Sequence, residues 1–134
     1  MKPLTAQQIA EILGTHVASG RPDALASGGV STDSRKLPQH ALFIALRGEN
    51  FNGDAFAKGA IASGAAVVIV HEWTDEAPAD AAVIVVPDTL RALQKLAHWW
   101  RRQLDIPVLC ITGSNGKTST KDFCTAVLSQ KYQV

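Results

Sequence analysis

Residues 107–118 read PVLCITGSNGKT, an apolar run that passes directly into a glycine-rich turn ending in Lys117 and Thr118. The aliphatic run predicts a buried strand over 107–112, and the residues after the turn have a helical pattern to about Leu128. A strand followed by a short turn and a helix is the repeating unit of parallel α/β sheets. This stretch therefore predicts the first strand, loop and helix of a parallel-sheet domain.

The turn over 113–118 contains the residue types that a bound phosphate requires. Glycines permit positive φ and a close backbone approach, so successive N–H groups can face one concavity beside a helix N-terminus. Lys117 would bring positive charge to the β- and γ-phosphates, and the Thr118 hydroxyl would bind Mg²⁺. The longer phosphate-loop pattern needs glycine where Ile111 stands, so only the shorter form G-x-x-G-K-T is present. The alternative is an ordinary strand-to-helix turn with a surface lysine.

The chain before this stretch alternates between strand and helix patterns. Thr5 and Gln8 form a capping box for a helix that ends at Gly14, and Asp88 caps a long helix reaching about Leu104. The remaining segments are predicted as a loop over 19–29, strands over 30–32, 41–46, 66–70 and 82–86, and a helix over 56–63. This pattern predicts an α/β fold, with a small, nearly complete domain over 1–105 and a truncated parallel-sheet domain over 106–134.

The composition is that of a globular protein without an electrostatic preference for polyanions. Of the 134 residues, 46% are hydrophobic and 19% are charged, and the formal net charge is +1. This balance gives no reason to expect nucleic acid or a membrane surface as a partner. The N-terminus lacks the apolar core of a signal peptide, so a cytoplasmic location is expected. Cys110 and Cys124 are predicted to be reduced core residues, and the four scattered histidines are not expected to bind metal.

Residues 31–35 read STDSR and precede a second strand-and-turn segment, ALFIALRGE over 41–49. Serine and threonine hydroxyls can hydrogen-bond a uracil or a phosphate oxygen, and Arg35 can neutralise a diphosphate through charge-assisted bonds. The alternative is a strand end in which Asp33 and Arg35 pair only to stabilise a turn. The residues alone leave both interpretations open.

The string ITGSNGKTSTK over 111–121 closely resembles the ATP-binding loop of the Mur ligases. Residues 31–35 and 41–49 resemble the N-terminal uridine-nucleotide-binding domain of the same family, so the resemblance covers essentially the whole chain. It implies ATP and Mg²⁺ as cofactors, with Lys117 and Thr118 as catalytic residues and Thr118 as a metal ligand. The ATP-binding residues that it implies are Gly113, Ser114, Asn115, Gly116, Lys117, Thr118 and Ser119. The domain over 1–105 would bind the UDP-MurNAc-peptide through Ser31, Thr32, Ser34, Arg35, Glu49, Asn50 and Phe51.

Within the family, residues 119–122 resemble the members that add D-alanyl-D-alanine, whereas the members that add the third peptide residue tend to have a run of threonines there. The implied reaction phosphorylates the carboxylate of UDP-MurNAc-tripeptide with ATP, and the amine of D-alanyl-D-alanine then attacks the acyl phosphate. One departure from the family lies at Asn52-Gly53-Asp54, where the family often has Asp-Gly-His.

Several parts of such an enzyme are not recognisable in these 134 residues, including an adenine pocket, a second Mg²⁺ ligand and a domain for the dipeptide. The chain alone is therefore expected to lack ligase activity, and the full-length enzyme is expected to be a monomer. The alternatives are a Mur ligase that adds the third residue and a non-catalytic UDP-sugar-binding module. A folylpolyglutamate synthetase has a similar loop but lacks the STDSR segment, which argues against that class.

Overall fold

A computed structural model describes residues 2–48, 51–76 and 79–134 of the chain. The chain divides into two compact units, Met1–Leu104 and Asp105–Val134. Among the described residues, no helix has the length and apolar character needed to cross a membrane.

The first unit combines short strands with helices. In chain order its elements are β1 (Leu4–Thr5), α1 (Ala6–Leu13), β2 (Val17–Gly20), β3 (Leu25–Ala26), β4 (Val30–Ser31), β5 (Leu42–Ile44), β6 (Arg47–Gly48), β7 (Phe51–Asn52), a 3₁₀ helix (Gly53–Phe56), α2 (Ala57–Ala62), β8 (Val67–Val70), β9 (Ala82–Val85) and α3 (Thr89–Arg102). Five strands form the central sheet in the order β2-β9-β8-β5-β4. Strands β4, β5, β8 and β9 are parallel, and β2 is antiparallel to β9 at one edge. The predicted α/β class is confirmed.

Helices cover both faces of this sheet, which explains why β5, β8 and β9 are continuous apolar runs. On one face, α1 and α3 pack over a core that includes Leu42, Ile69 and Ile84. On the other face, α2 packs over a smaller core that includes Phe43 and Val68. Full burial of one such side chain contributes about 1.5–3 kcal/mol, so the sheet interior is the main source of stability.

Local signals fixed the ends of the helices. Thr5 and Gln8 form the predicted capping box, with the Thr5 hydroxyl accepting from the Gln8 N–H and the Gln8 side chain accepting from the Thr5 N–H. Gly14 ends α1 with φ 76°, a left-handed conformation that glycine adopts without steric cost. Asp88 caps α3 by accepting from the Arg91 N–H at 2.9 Å. These predictions are confirmed.

The prediction that residues 19–29 form a loop was partly wrong. It contains the end of β2, which pairs with β9, and all of β3, which pairs with β1. These short edge strands are held by their partners, so they form despite a composition rich in glycine and serine. The helix predicted over 56–63 is preceded by the 3₁₀ helix and extends only over Ala57–Ala62.

The second unit contains α4 (Lys117–Leu128), as predicted after the glycine-rich turn. The strand predicted over 107–112 does not form, because a strand needs hydrogen bonds from a neighbour and residues 105–134 contain no second strand. Cys110 is consequently exposed and Cys124 is only half-buried, so the prediction that both are core residues was wrong. Both thiols are free.

Candidate functional site

The glycine-rich turn uses the backbone freedom that its glycines provide. Gly116 occupies the N-cap of α4 with φ 76° and ψ 2°, and Gly113 has φ 153°. A Cβ on Gly116 would meet no atom within 4 Å, so glycine is required there by conformation and not by space. Because α4 begins at Lys117, the N–H groups of its first turn have no acceptor within the helix and are available to an anion.

Lys117 lies across this turn. Its Nζ donates to the Gly113 carbonyl oxygen at 2.6 Å, which uses one of the three ammonium hydrogens. The other two remain for phosphate oxygens. Thr118 and Ser119 stand beside it with exposed side chains in the first turn of α4. The donor set of backbone N–H groups, one ammonium and two hydroxyls fits a phosphate group, and the Thr118 hydroxyl fits the oxygen preference of Mg²⁺.

Residues 31–35 leave the end of β4 as a tight, self-bonded turn. The Ser31 hydroxyl donates to the Asp33 carbonyl oxygen at 3.0 Å, and the Asp33 N–H donates back to that hydroxyl at 3.2 Å. Arg35 donates from Nε and Nη2 to the two carboxylate oxygens of Asp33. These hydrogen bonds lower the pKa of Asp33 to about 2 and raise the pKa of Arg35. Thr32 is exposed and Ser34 is half-buried.

A polar cluster that the sequence did not reveal lies where the parallel strands end. Asp54 accepts from the His71 N–H at 3.1 Å and lies 3.3 Å from His71 Nδ1. His71 Nε2 lies 3.5 Å from the hydroxyl of Thr89, and that hydroxyl donates to the Ala45 carbonyl oxygen at 2.8 Å. Arg47 reaches the same carboxylate with Nη2 at 2.8 Å. The only sequence signal for this cluster was the departure at residue 54.

An exposed aromatic pair lies next to this cluster in the chain. The rings of Phe51 and Phe56 stack with centroids 5.4 Å apart and an interplanar angle of 13°. Phe51 is the first residue of β7 and pairs with Gly48 of β6, and about half of its surface is exposed. Glu49 and Asn50, which were also predicted to bind substrate, lie outside the described residues.

The sheet topology places the two segments predicted to bind substrate, the STDSR turn and the β6–β7 hairpin, at the same edge of the sheet. Strands β4 and β5 are parallel neighbours, with Ser31 paired to Phe43. The STDSR turn follows β4, and the β6–β7 hairpin follows β5, so both leave the same edge of the sheet. Ligands of open α/β sheets bind outside the carboxyl ends of the strands, which is the edge concerned here.

Known proteins resemble this chain along most of its length. The UDP-N-acetylmuramoyl-tripeptide–D-alanyl-D-alanine ligase of Bacillus subtilis (strain 168) is 44% identical over 130 residues, covering 97% of this chain and 28% of the relative. A crystal structure of MurF from Acinetobacter baumannii matches with a TM-score of 0.80 and 32% identity, over 99% of this chain and 29% of that one. The MurF ligase from Thermotoga maritima, solved in complex with ADP, matches with a TM-score of 0.68 and 26% identity. This match covers 79% of this chain and 24% of the Thermotoga maritima chain.

The chain thus spans less than a third of the length of each of these relatives. The sequence profile described as Mur ligase family, catalytic domain, matches residues 27–101. That range lies within the first unit and ends before the glycine-rich turn. Because the profile covers more than half of the residues, the chain belongs to the Mur ligase family.

Proposed function

We propose that this chain is the N-terminal part of an ATP-dependent ligase that joins D-alanyl-D-alanine to UDP-MurNAc-tripeptide in the cytoplasm. The observation that carries the proposal is the 44% identity to a D-alanyl-D-alanine ligase over 97% of the chain, which includes both the STDSR turn and the glycine-rich turn. Residues 1–105 would form the UDP-MurNAc-peptide-binding domain and 106–134 the start of the ATP-binding domain. The full-length enzyme would act as a monomer.

The second unit would bind the phosphates of ATP. The N–H groups of residues 115–118 would surround the β- and γ-phosphates at the N-terminus of α4, where the helix dipole favours negative charge. Lys117 would turn from the Gly113 carbonyl oxygen towards the transferring phosphoryl group. Mg²⁺, when bound, neutralises charge on the phosphate oxygens, and Thr118 is the residue that would hold it. Binding of ADP by the Thermotoga maritima relative supports this assignment.

The reaction would proceed in two steps. A carboxylate oxygen of UDP-MurNAc-tripeptide attacks the γ-phosphorus of ATP, the bond to the bridging oxygen breaks, and ADP leaves. The amine nitrogen of D-alanyl-D-alanine then attacks the acyl carbon, phosphate leaves, and the nitrogen loses a proton. In both steps the protein works mainly by positioning and charge neutralisation, which is the role that Lys117 and the first turn of α4 can fill.

The first unit would bind the uridine diphosphate at the sheet edge that carries the STDSR turn and the β6–β7 hairpin. Thr32 is exposed there, and the Arg35 side chain is 86% exposed although it pairs with Asp33. Two of the five guanidinium hydrogens contact Asp33, so three remain for a diphosphate. Phe51 would offer a ring face to the uracil. Ser31, Ser34, Glu49 and Asn50 complete the proposed contact set.

Ligation by the complete protein tests the proposal. With ATP, Mg²⁺, UDP-MurNAc-tripeptide and D-alanyl-D-alanine, we expect one ADP and one phosphate for each UDP-MurNAc-pentapeptide formed. A parallel reaction with UDP-MurNAc-dipeptide and single amino acids tests the alternative enzyme that adds the third residue. Product only in that second reaction would replace the proposed function, and the 134-residue chain by itself should produce neither product.

A further inference from the structure

The β6–β7 hairpin has little of its own to hold it in place. Each of its strands has two residues, Arg47–Gly48 and Phe51–Asn52, and all four residues are exposed. The described residues of the hairpin form no buried face, and isolated two-stranded hairpins are marginal in water. Its position must therefore be set by contacts with the rest of the first unit.

Asp54 supplies the main contact of this kind. One carboxylate oxygen accepts from Arg47 of the hairpin at 2.8 Å, and the other accepts from the backbone N–H of His71 at 3.1 Å. His71 directly follows β8, so the carboxylate joins the hairpin to the end of a central strand. The side chains of Asp54 and His71 are only 12% and 13% exposed, which shields these charge-assisted bonds from water.

His71 extends the connection into the core. Its Nδ1 faces Asp54 at 3.3 Å, and because an ionised carboxylate only accepts, the ring hydrogen is assigned to Nδ1. Its Nε2 packs 3.5 Å from the hydroxyl oxygen of Thr89 without a hydrogen bond, because Thr89, which is 1% exposed, donates its single hydroxyl hydrogen to the Ala45 carbonyl oxygen. The contacts therefore run from Arg47 to the buried start of α3.

Backbone geometry fixes the same region. The Gly53 N–H donates to the Leu46 carbonyl oxygen at 2.9 Å, and the Asn52 side chain accepts from both the Asp54 N–H and Arg47 Nε at 3.2 Å. Arg47 is thus held by Asn52 and Asp54, its Nη2 also lies 3.5 Å from the exposed carboxylate of Glu72, and its side chain remains 39% exposed. A partly exposed, oriented guanidinium at the carboxyl edge of a parallel sheet is suited to a phosphate group.

We propose that Asp54 and His71 are positioning residues for the uridine-diphosphate part of the substrate, acting through Arg47 and the β6–β7 hairpin. The inference rests on the proposed function, because it assumes that the substrate binds at this edge. Neither side chain needs to touch the substrate. Loss of either would release the hairpin and weaken binding of the UDP-linked substrate, while the ATP site in the second unit would keep its own contacts.

The test measures kcat and KM for each substrate of the complete protein, with calorimetric Kd values for UDP-MurNAc-tripeptide. Asp54→Asn keeps the shape but removes the charge, so we expect KM and Kd for this substrate to rise about tenfold, the effect of losing one charge-assisted bond. KM for ATP should stay within about twofold of wild type. Arg47→Gln, at a more exposed position, should reproduce the effect if Asp54→Asn folds poorly.

Asp75→Asn is the matched control, because Asp75 is a more exposed carboxylate of the same unit that pairs with Lys58 at 2.7 Å. It should leave all three KM values unchanged. The single variant His71→Ala is measured as well. The double variant Asp54→Asn/His71→Ala should bind UDP-MurNAc-tripeptide no more weakly than the weaker-binding of the two single variants, since both residues act through one connection. Wild-type KM and Kd for UDP-MurNAc-tripeptide in both Asp54→Asn and Arg47→Gln would overturn the positioning role. A wild-type protein that neither binds nor uses this substrate would overturn the proposed function itself, and the positioning role with it.

Discussion

Arg35 and Asp33 form a bidentate ion pair in which Nε and Nη2 of Arg35 each lie 2.9 Å from a different carboxylate oxygen of Asp33. The Arg35 backbone N–H adds a third bond at 3.0 Å to Asp33 Oδ1. The geometry therefore matches the alternative in which the two residues stabilise a turn. It also remains compatible with substrate contact, because the outer side of the guanidinium is exposed.

This pair predicts a measurable titration. The hydrogen bonds from Arg35 lower the pKa of Asp33 to about 2, from an ordinary value of 3.8. The carboxylate form is favoured in the folded state, so the stabilisation is complete above pH 3.8 and is lost as the pH falls through about 2. In Arg35→Gln the pKa of Asp33 should rise towards 3.8, as followed by the carboxyl carbon resonance in NMR. An Asp33 that titrates near 3.8 in the wild-type protein would contradict the pairing.

Two glycines of the first unit should respond to alanine with opposite signs. A Cβ on Gly53 would lie 2.5 Å from the Leu46 carbonyl oxygen and 2.8 Å from the Ala45 carbonyl carbon, so backbone would have to move. Gly59 is exposed within α2, and a Cβ there meets no atom within 4 Å. We expect Gly53→Ala to lower the free energy of unfolding by about 1–3 kcal/mol, and Gly59→Ala to raise it by about 0.4–1 kcal/mol. Urea unfolding of both variants checks this, and equal effects would refute the close approach at Gly53.

Sequence reasoning succeeded where the determinants are local. The capping box of Thr5 and Gln8, the left-handed Gly14 and the cap at Asp88 involve residues within a few positions of each other, so their patterns are visible in the chain. The strands β8 and β9 are also recognisable from the sequence. Because they are buried on both faces, their residues form continuous aliphatic runs in which apolar and polar side chains do not alternate. The α/β class followed from these features.

The failures share a physical cause, which is dependence on a distant partner. His71 lies 17 residues from Asp54 and 18 from Thr89, and no local pattern brings them together. The aliphatic run over 107–112 has the composition of a strand, but it cannot complete its hydrogen bonds within residues 105–134. Short edge strands such as β3 form only because β1 lies beside them.

The contribution of the buried Thr89 hydroxyl can be tested by measuring the free energy of unfolding. Valine has nearly the same shape but cannot donate to the Ala45 carbonyl oxygen, which Thr89 contacts at 2.8 Å. We expect Thr89→Val to cost about 1–3 kcal/mol in unfolding free energy, because a buried acceptor loses its donor. Thr74→Val provides the matched exposed change in the same unit, and it should alter stability by less than about 0.5 kcal/mol. Equal stabilities of the two variants would show that the Thr89 bond contributes nothing.

The proposed role of Lys117 in phosphoryl transfer can be distinguished from its structural contact with Gly113. One variant removes its charge, and a second removes the same charge at another position of α4. Lys117 is exposed, and among the described residues its side chain hydrogen-bonds only the Gly113 carbonyl oxygen, so Lys117→Met should change the free energy of unfolding by less than about 0.5 kcal/mol. Ligation by the complete protein should nevertheless fall about 10²–10³-fold in kcat, because the charge that stabilises the transferring phosphoryl group is lost.

Lys121→Met is the control for this prediction, since Lys121 lies one turn further along α4 and pairs with Asp122 at 2.9 Å. It removes the same charge from the same helix, so it should retain nearly full kcat and KM for ATP. If Lys117→Met kept the wild-type kcat, or if Lys121→Met lost as much, the ammonium of Lys117 would have no specific part in phosphoryl transfer. The turn would then be the ordinary strand-to-helix connection that its sequence also permits.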